Sequence, residues 1–398
     1  MDLSLVHPKR HGTIHSGKRE NSSHRKMISS LHINGYRGFQ RLDLSGLGRV
    51  NLLVGKNNSG KTSVLEAFHL LTSRGDPTAL WQVLWRRGER FQIEQDPRRP
   101  QIDVDVSHLF NGHELHVGSK FKLATKNETP EKWLTFEVAE LSPKEQTELF
   151  GVDPDTAGSV PSQRFALQIS GRPTPAVQRI ALSRQGGVSS ESLNSPHILR
   201  HRSADPAPTQ YIATESLTGT ELIALWSKIQ LSPHEELVLA ALKFLDEDIE
   251  RIAAQVSTQP YYNPTPRAGF IIKRKGSEYP IPLGSMGDGM WRMLTMAVAI
   301  TQSKGGVLLV DEIDTGLHYT AMEAMWRLIF RAATEFEVQV FATTHSYDCV
   351  HSLATLCIDS NDAKNGITVQ RIEAGKNKAI PYSENEIRLA AERNIEMR

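Results

Sequence analysis

The chain has 398 residues, 39% of them hydrophobic and 23% charged, with a net charge of +1. That composition suits a globular protein with a sizeable core, and the near-neutral balance calls for neither nucleic acid nor an anionic membrane as an obligatory partner. The two cysteines, Cys349 and Cys357, are too far apart for a CxxC pair, and no apolar run approaches the roughly 20 residues that span a bilayer, so the expectation is a cytoplasmic protein without disulfides or zinc.

Residues 1–26 mix Lys9, Arg10, Lys18, Arg19, Arg25 and Lys26 with His and Ser and carry few apolar side chains. Such a segment cannot bury enough surface to offset its ordering entropy, so it reads as a disordered basic tail. A basic arm touching DNA is the sharper alternative. Met27, just before the first strand-like run, is a second candidate start of translation.

From Leu31 the pattern becomes regular. Leu31–Ile33, Phe39–Leu44 and Val50–Val54 read as strands separated by Gly-bearing turns, and a helix runs from Lys61 to about Thr72. Further strand-like runs follow at Ile102–Val106, Leu115–Phe121, Leu134–Val138, Phe165–Ile169 and Arg179–Leu182, and Gln185 to Pro208 reads as a loop. Helical stripes then appear, one of Leu222, Leu225, Trp226 and Ile229, another of Val238, Leu242, Leu245, Ile249 and Ile252. They read as core-facing helices, with a dimer contact as the alternative. From Phe270 the order strand, turn, helix, strand, helix, strand predicts a parallel sheet with crossover helices. Thr355–Ile358 and Ile367–Ile372 read as closing strands and Glu384–Arg393 as a last helix.

Four motifs carry chemistry. Gly55, Lys56, Asn57, Asn58, Ser59, Gly60, Lys61 and Thr62 have the spacing GxxxxGK[ST] between a strand and a helix. That context lets loop N–H groups cradle phosphates, with Lys61 on the β/γ-phosphates and the Thr62 hydroxyl on Mg²⁺; Ser63 completes the candidate set. Val307–Val310 ends in Asp311 and Glu312, where a doubly wound sheet places its ligands. Asp311 would hold Mg²⁺ through water and Glu312 would act as general base. Gly284, Ser285, Met286, Gly287, Asp288 and Gly289 precede a helix and form a second candidate anion turn. His345, after the apolar run Val338–Phe341, is placed to hydrogen-bond a γ-phosphate.

In this order the motifs resemble the ABC-type P-loop ATPase heads of the SMC, RecF and OLD group, including the stand-alone OLD-like ATPases of PARIS-type anti-phage systems. Asn34-Gly35-Tyr36-Arg37-Gly38-Phe39 resembles that group's N-terminal strand-turn, Asp311 to His318 its Walker B and D-loop, and Thr343-Thr344-His345-Ser346 its switch histidine. The resemblance is specific over 31–73 and 281–350 and loose between them. It implies an α/β ATPase head with an N-terminal β subdomain and an inserted β-plus-helical region. The expected division is a tail at 1–26, a Walker A lobe at 27–110, an insertion at 111–265 with candidate dimerisation helices at 216–255, and a second lobe at 266–398.

The resemblance further implies ATP and Mg²⁺ as ligands, with Arg37 among the nucleotide contacts. It implies an ATP-bridged homodimer in which Ser285, Gly287, Asp288 and Gly289 reach the partner's nucleotide, and a separate nuclease as effector. A DNA-repair ATPase resembling RecF is the alternative, with Lys273, Arg274, Lys275, Arg86, Arg87, Arg90, Arg98 and Arg99 as candidate phosphate contacts. A Q-loop glutamine is left open among Gln82, Gln92 and Gln101.

Overall fold

The computed structural model describes residues 27–93, 101–125, 133–142, 144–146, 164–171, 174–183, 185–193, 206–255, 267, 269–359, 366–393 and 395–398. The basic segment 1–26, Arg98, Arg99 and residues 194–205 of the loop expected at 185–208 lie outside them.

The centre is a six-stranded sheet in the order Thr209–Ile212, Val307–Val310, Gln339–Thr343, Val50–Val54, Ile367–Arg371 and Ile380–Ser383. The first five strands are parallel and the last pairs antiparallel with Ile367–Arg371. Val50–Val54, Val307–Val310 and Gln339–Thr343 are buried throughout, as strands covered on both faces must be. Because side chains alternate along a strand, Leu52, Val54, Leu308, Val310, Val340 and Ala342 enter one core while Leu53, Leu309 and Phe341 enter another. The first core is closed by the helices Asp288–Gln302, Tyr319–Glu335 and Tyr347–Asp359. The second is closed by the helix Lys61–Thr72, whose Phe68 stacks on Phe341 at 3.8 Å, and by an antiparallel sheet.

That antiparallel sheet has the order Phe39–Ser45, Ser30–Tyr36, Lys120–Ala124, Leu134–Glu140, Phe165–Gly171 and Thr174–Ala181. Two three-stranded sheets complete the β structure: Gly187–Ser189, Gln101–Asp105 and Arg90–Ile93; then Ile249–Ala254, Phe270–Arg274 and Ile281–Pro282. The fold is therefore α/β, a mixed sheet flanked by helices with an antiparallel β lobe against it, as the sequence implies.

Three expectations need correction. Leu115–Phe121 is not one strand: His116–Ser119 is a turn with Gly118 at φ 89°, and the strand begins at Lys120. The stripe from Val238 to Ile252 is not one helix. The helix Pro233–Lys243 stops before the acidic turn Asp246–Asp248, where the Asp246 carboxylate accepts from the Asp248 N–H, and Ile249 and Ile252 lie on a strand. Leu222, Trp226, Val238 and Leu242 pack into the chain's own core. Thr355–Ile358 is the end of the helix Tyr347–Asp359, in which Cys349, Val350, Leu353, Ala354 and Cys357 are buried at helical spacing.

Candidate nucleotide site

The loop Gly55–Gly60 joins the buried strand Val50–Val54 to the helix that starts at Lys61. Two glycines make it fit. At Gly60, φ is 95° and an added Cβ would stand 2.2 Å from the Phe39 ring; at Gly55 it would stand 2.3 Å from the Ile372 carbonyl oxygen. Only glycine takes such angles in such confinement. The Lys61 ammonium donates to the carbonyls of Gly55 at 2.7 Å and Lys56 at 3.0 Å, so it folds back over the loop. Burial draws its pKa below the usual lysine value, while Glu312 and Asp311 act in the opposite direction. Ser59 Oγ is buried without a hydrogen-bond partner, Asn58 stands at φ 61°, and Lys56 and Asn57 are exposed.

The sheet order brings Asp311 to this loop from 249 residues away: the Thr62 hydroxyl donates to its two carboxylate oxygens at 3.1 and 3.0 Å. Thr343, on the intervening strand, donates to Asp311 Oδ1 at 2.6 Å and accepts from the Glu312 N–H at 2.8 Å. Glu312 has a φ of 45°, and its Oε1 lies 3.5 Å from His345 Nδ1. Thr344 holds Asp314 at 2.6 Å. Thus Thr62, Asp311, Glu312 and His345 form one cluster beside Lys61.

The second anion turn is a 3₁₀ turn, Leu283–Met286, followed by Gly287 at φ 93° and ψ 168° and the helix Asp288–Gln302. Ser285, Gly287 and Asp288 are exposed, and Asp288 pairs with Arg267. Gly289 packs against Gly316, so this turn and the loop after Glu312 are in contact within the chain.

Two of the expected contacts, Arg37 and Ser63, have partners within the chain. Arg37 is 4% exposed, and its guanidinium is held by Glu66 at 2.7 Å and by Glu89 at 2.7 and 3.1 Å. Those carboxylates take a bond from each guanidinium nitrogen, so Arg37 makes buried ion pairs within the chain. Ser63 accepts from Arg87 at 3.2 Å. The glutamines remain unassigned: Gln82 accepts from Arg86, while Gln92 and Gln101 lie on paired strands.

The basic residues considered for DNA are largely engaged as well. Arg87 pairs with Glu66, Arg86 lies over the Tyr211 ring at 4.0 Å, Arg90 lies over Trp85 at 4.3 Å, and Arg274 pairs with Asp246 and Asp248. Sequence reasoning missed the bonds made by Thr343, and it missed Arg292, whose only signal is a charge inside an apolar helical run.

Residues 163–348 match the family described as "AAA domain, putative AbiEii toxin, Type IV TA system", and residues 27–149 match the "AAA ATPase domain" family. An ATP/GTP phosphatase of Helicobacter pylori is 22% identical over 344 residues, covering 82% of this chain and 87% of that protein. The DNA replication and repair protein RecF of Clostridioides difficile is 28% identical over 99 residues, 25% of this chain and 21% of that protein. Among solved structures, an SMC head bound to the C-terminal winged-helix domain of ScpA has a TM-score of 0.45 at 14% identity, covering 90% of this chain and 98% of that one. The SMC head domain of Thermotoga maritima has a TM-score of 0.41 at 12% identity, covering 90% of this chain and 99% of that one. The class that the sheet, the phosphate loop and the family matches define is a P-loop ATPase domain.

Proposed function

We propose that this chain is an ATP-hydrolysing switch of the ABC type, working as an ATP-bridged homodimer that gates a separate effector. The observation that carries the reading is the convergence of Thr62, Asp311, Glu312 and His345 beside Lys61. The residues fit a magnesium nucleotide: a hydroxyl and a carboxylate meet where a hard cation takes oxygen ligands, and the buried Ser59 hydroxyl of the loop lacks a partner. Thr62 and Asp311 would hold Mg²⁺, which supplies charge neutralisation at the phosphates. Lys61 leaves its carbonyl partners for phosphate oxygens. Glu312 takes a proton from the attacking water and His345 donates to the γ-phosphate.

In this reading Ser285, Gly287, Asp288 and Gly289 of one copy cover the nucleotide of the other. The exposure of Ser285, Gly287 and Asp288 supports a composite face. The match of 163–348 to a family described in toxin–antitoxin terms supports a two-component arrangement, and we assign a nuclease in anti-phage defence as the effector. The RecF reading, supported by the 28% identity over a quarter of the chain, predicts salt-dependent DNA binding by the isolated protein.

The test is a pair of variants. Lys61→Ala is expected to abolish ATP binding. Glu312→Gln is expected to keep binding and to accumulate an ATP-bound dimer in light scattering, because Glu312 acts on the water and not on the bound nucleotide. Equal loss of binding in both removes Glu312 as the base.

A further inference from the structure

After Asp288, the helix Asp288–Gln302 carries a single charge, Arg292, and that residue is 2% exposed. One end of its guanidinium donates to the Ala213 carbonyl at 2.7 Å and the Ser216 hydroxyl at 2.9 Å. The other donates to the Asp311 carbonyl at 2.7 Å and the Glu312 carbonyl at 2.9 Å. Among the described residues no carboxylate stands within ion-pair distance, and Nε is buried without a partner. Burial draws the pKa down to about 10, with Asp311, Asp314 and Glu312 acting in the opposite direction. A buried cation satisfied mainly by carbonyls is a poor way to stabilise a helix that apolar residues would pack better.

What the guanidinium does is join two strained turns to one helix. Glu312 stands at φ 45° and Ser216 at φ 68°, both unfavourable for residues with a Cβ. Such conformations persist where the surroundings over-determine them, and Arg292 bonds both. It sits little more than one turn into a helix that begins at the anion turn, about 7.5 Å along the axis from Gly287 at 1.5 Å per residue.

We propose that Arg292 is a positioning residue that couples the turn Gly284–Gly289 to the carboxylate of Glu312. This rests on the proposed ATP dimer. Within one chain the turn faces the partner's nucleotide, whereas Glu312 acts on the chain's own. A phosphate arriving at Ser285 and Gly287 shifts the helix start, and the two bonds to the Asp311 and Glu312 carbonyls carry that shift to the base. Hydrolysis at each site of the dimer therefore responds to occupancy of the other.

The experiment uses the full chain with ATP and Mg²⁺. Arg292→Lys keeps the charge but cannot bridge both turns. Its ATP affinity and melting temperature are expected to stay near wild type, while kcat falls ~100-fold, as for a misplaced catalytic group, and the Hill coefficient falls to that of independent sites. A wild-type Hill coefficient in Arg292→Lys overturns the proposal. So does a loss of turnover matched by an equal loss of ATP binding.

A second measurement needs no variant at Arg292. In a mixed dimer of wild-type and Lys61→Ala chains, the wild-type chain holds the only nucleotide while its own anion turn faces an empty loop. Coupling predicts turnover far below half that of the wild-type dimer; turnover at half that rate overturns it. The underlying reading is separable, because an Glu312→Gln protein that never dimerises with ATP removes the dimer itself.

Discussion

Thr343 shows how much of the site rests on one hydroxyl. It donates to Asp311 and accepts from the Glu312 N–H, fixing a metal ligand and a base from a third strand. Thr343→Val would leave the Glu312 N–H unsatisfied and Asp311 with Thr62 as its remaining side-chain donor, a loss of about 1–3 kcal/mol in stability. Turnover is expected to fall more steeply than ATP binding, and Thr343→Ser to restore both; an active Thr343→Val would show that Glu312 is positioned without it. On the helix behind the loop, His69 is 7% exposed, stacks on Tyr211 at 5.6 Å, and lies 3.5 Å from Arg86. Burial first, and the Arg86 charge second, lower its pKa from 6.5 to about 3. The folded state therefore binds that proton less readily than the unfolded state. The stability it confers is complete above pH 6.5 and is lost as pH falls from there towards 3, by up to about 1.4 kcal/mol per pH unit. Denaturant titrations of wild type and His69→Leu between neutral pH and pH 5 should show a shallower acid dependence in the variant. Parallel slopes would mean that His69 titrates normally in the fold.

At the level of elements, two glycine turns differ in what constrains them. Gly60 has a positive φ and the Phe39 ring against it, whereas Gly287 has open space around a φ of 93° and ψ of 168° that essentially only glycine adopts. Gly60→Ala should therefore disturb both the β lobe and the phosphate loop, lowering the melting temperature and abolishing ATP binding. Gly287→Ala should cost roughly 1–3 kcal/mol locally, leave ATP binding at the loop intact, and abolish ATP-dependent dimerisation. Loss of ATP binding in Gly287→Ala would mean that the turn serves its own chain's loop. The strands and helix around Gly55–Thr62 were legible because buried runs and the GKT spacing are local signals. The helix Pro77–Arg86 was overlooked, although Asp76 caps it and Pro77 occupies its first turn. The ion pairs of Arg37 were not legible, because its partners Glu66 and Glu89 are 29 and 52 residues distant in the chain and no spacing rule reveals that pairing. Thr355–Ile358 reads as a strand because a run of four such residues, two of them β-branched, looks alike in a strand or on a buried helix face; only the positions of Cys349, Val350 and Leu353 distinguish the two.

For the whole molecule, the remaining question is whether the chain also performs the effector's chemistry. No described helix is long and apolar enough to cross a membrane, and no group of three or more His, Cys, Asp or Glu side chains among the described residues could hold a metal ion. Asp103 and Asp105 stand two residues apart on the strand Gln101–Asp105, the DxD spacing of a metal-binding acid pair. Asp103 is 1% exposed and lies under Gly187, where an added Cβ would be 2.6 Å from its own Cβ. Asp105 accepts from the Ser107 N–H at 2.9 Å and stands 3.5 Å from His108, so it caps a short 3₁₀ turn. Two-metal cleavage needs carboxylates that converge on a cleft open to a phosphodiester, and this pair is divided between a buried position and a cap. The purified chain is therefore expected not to cut plasmid DNA with Mg²⁺ or Mn²⁺, with or without ATP, as read by loss of supercoiled substrate on a gel. Cleavage lost in Asp103→Ala but retained in Lys61→Ala would place a nuclease centre in this chain and remove the need for a separate one.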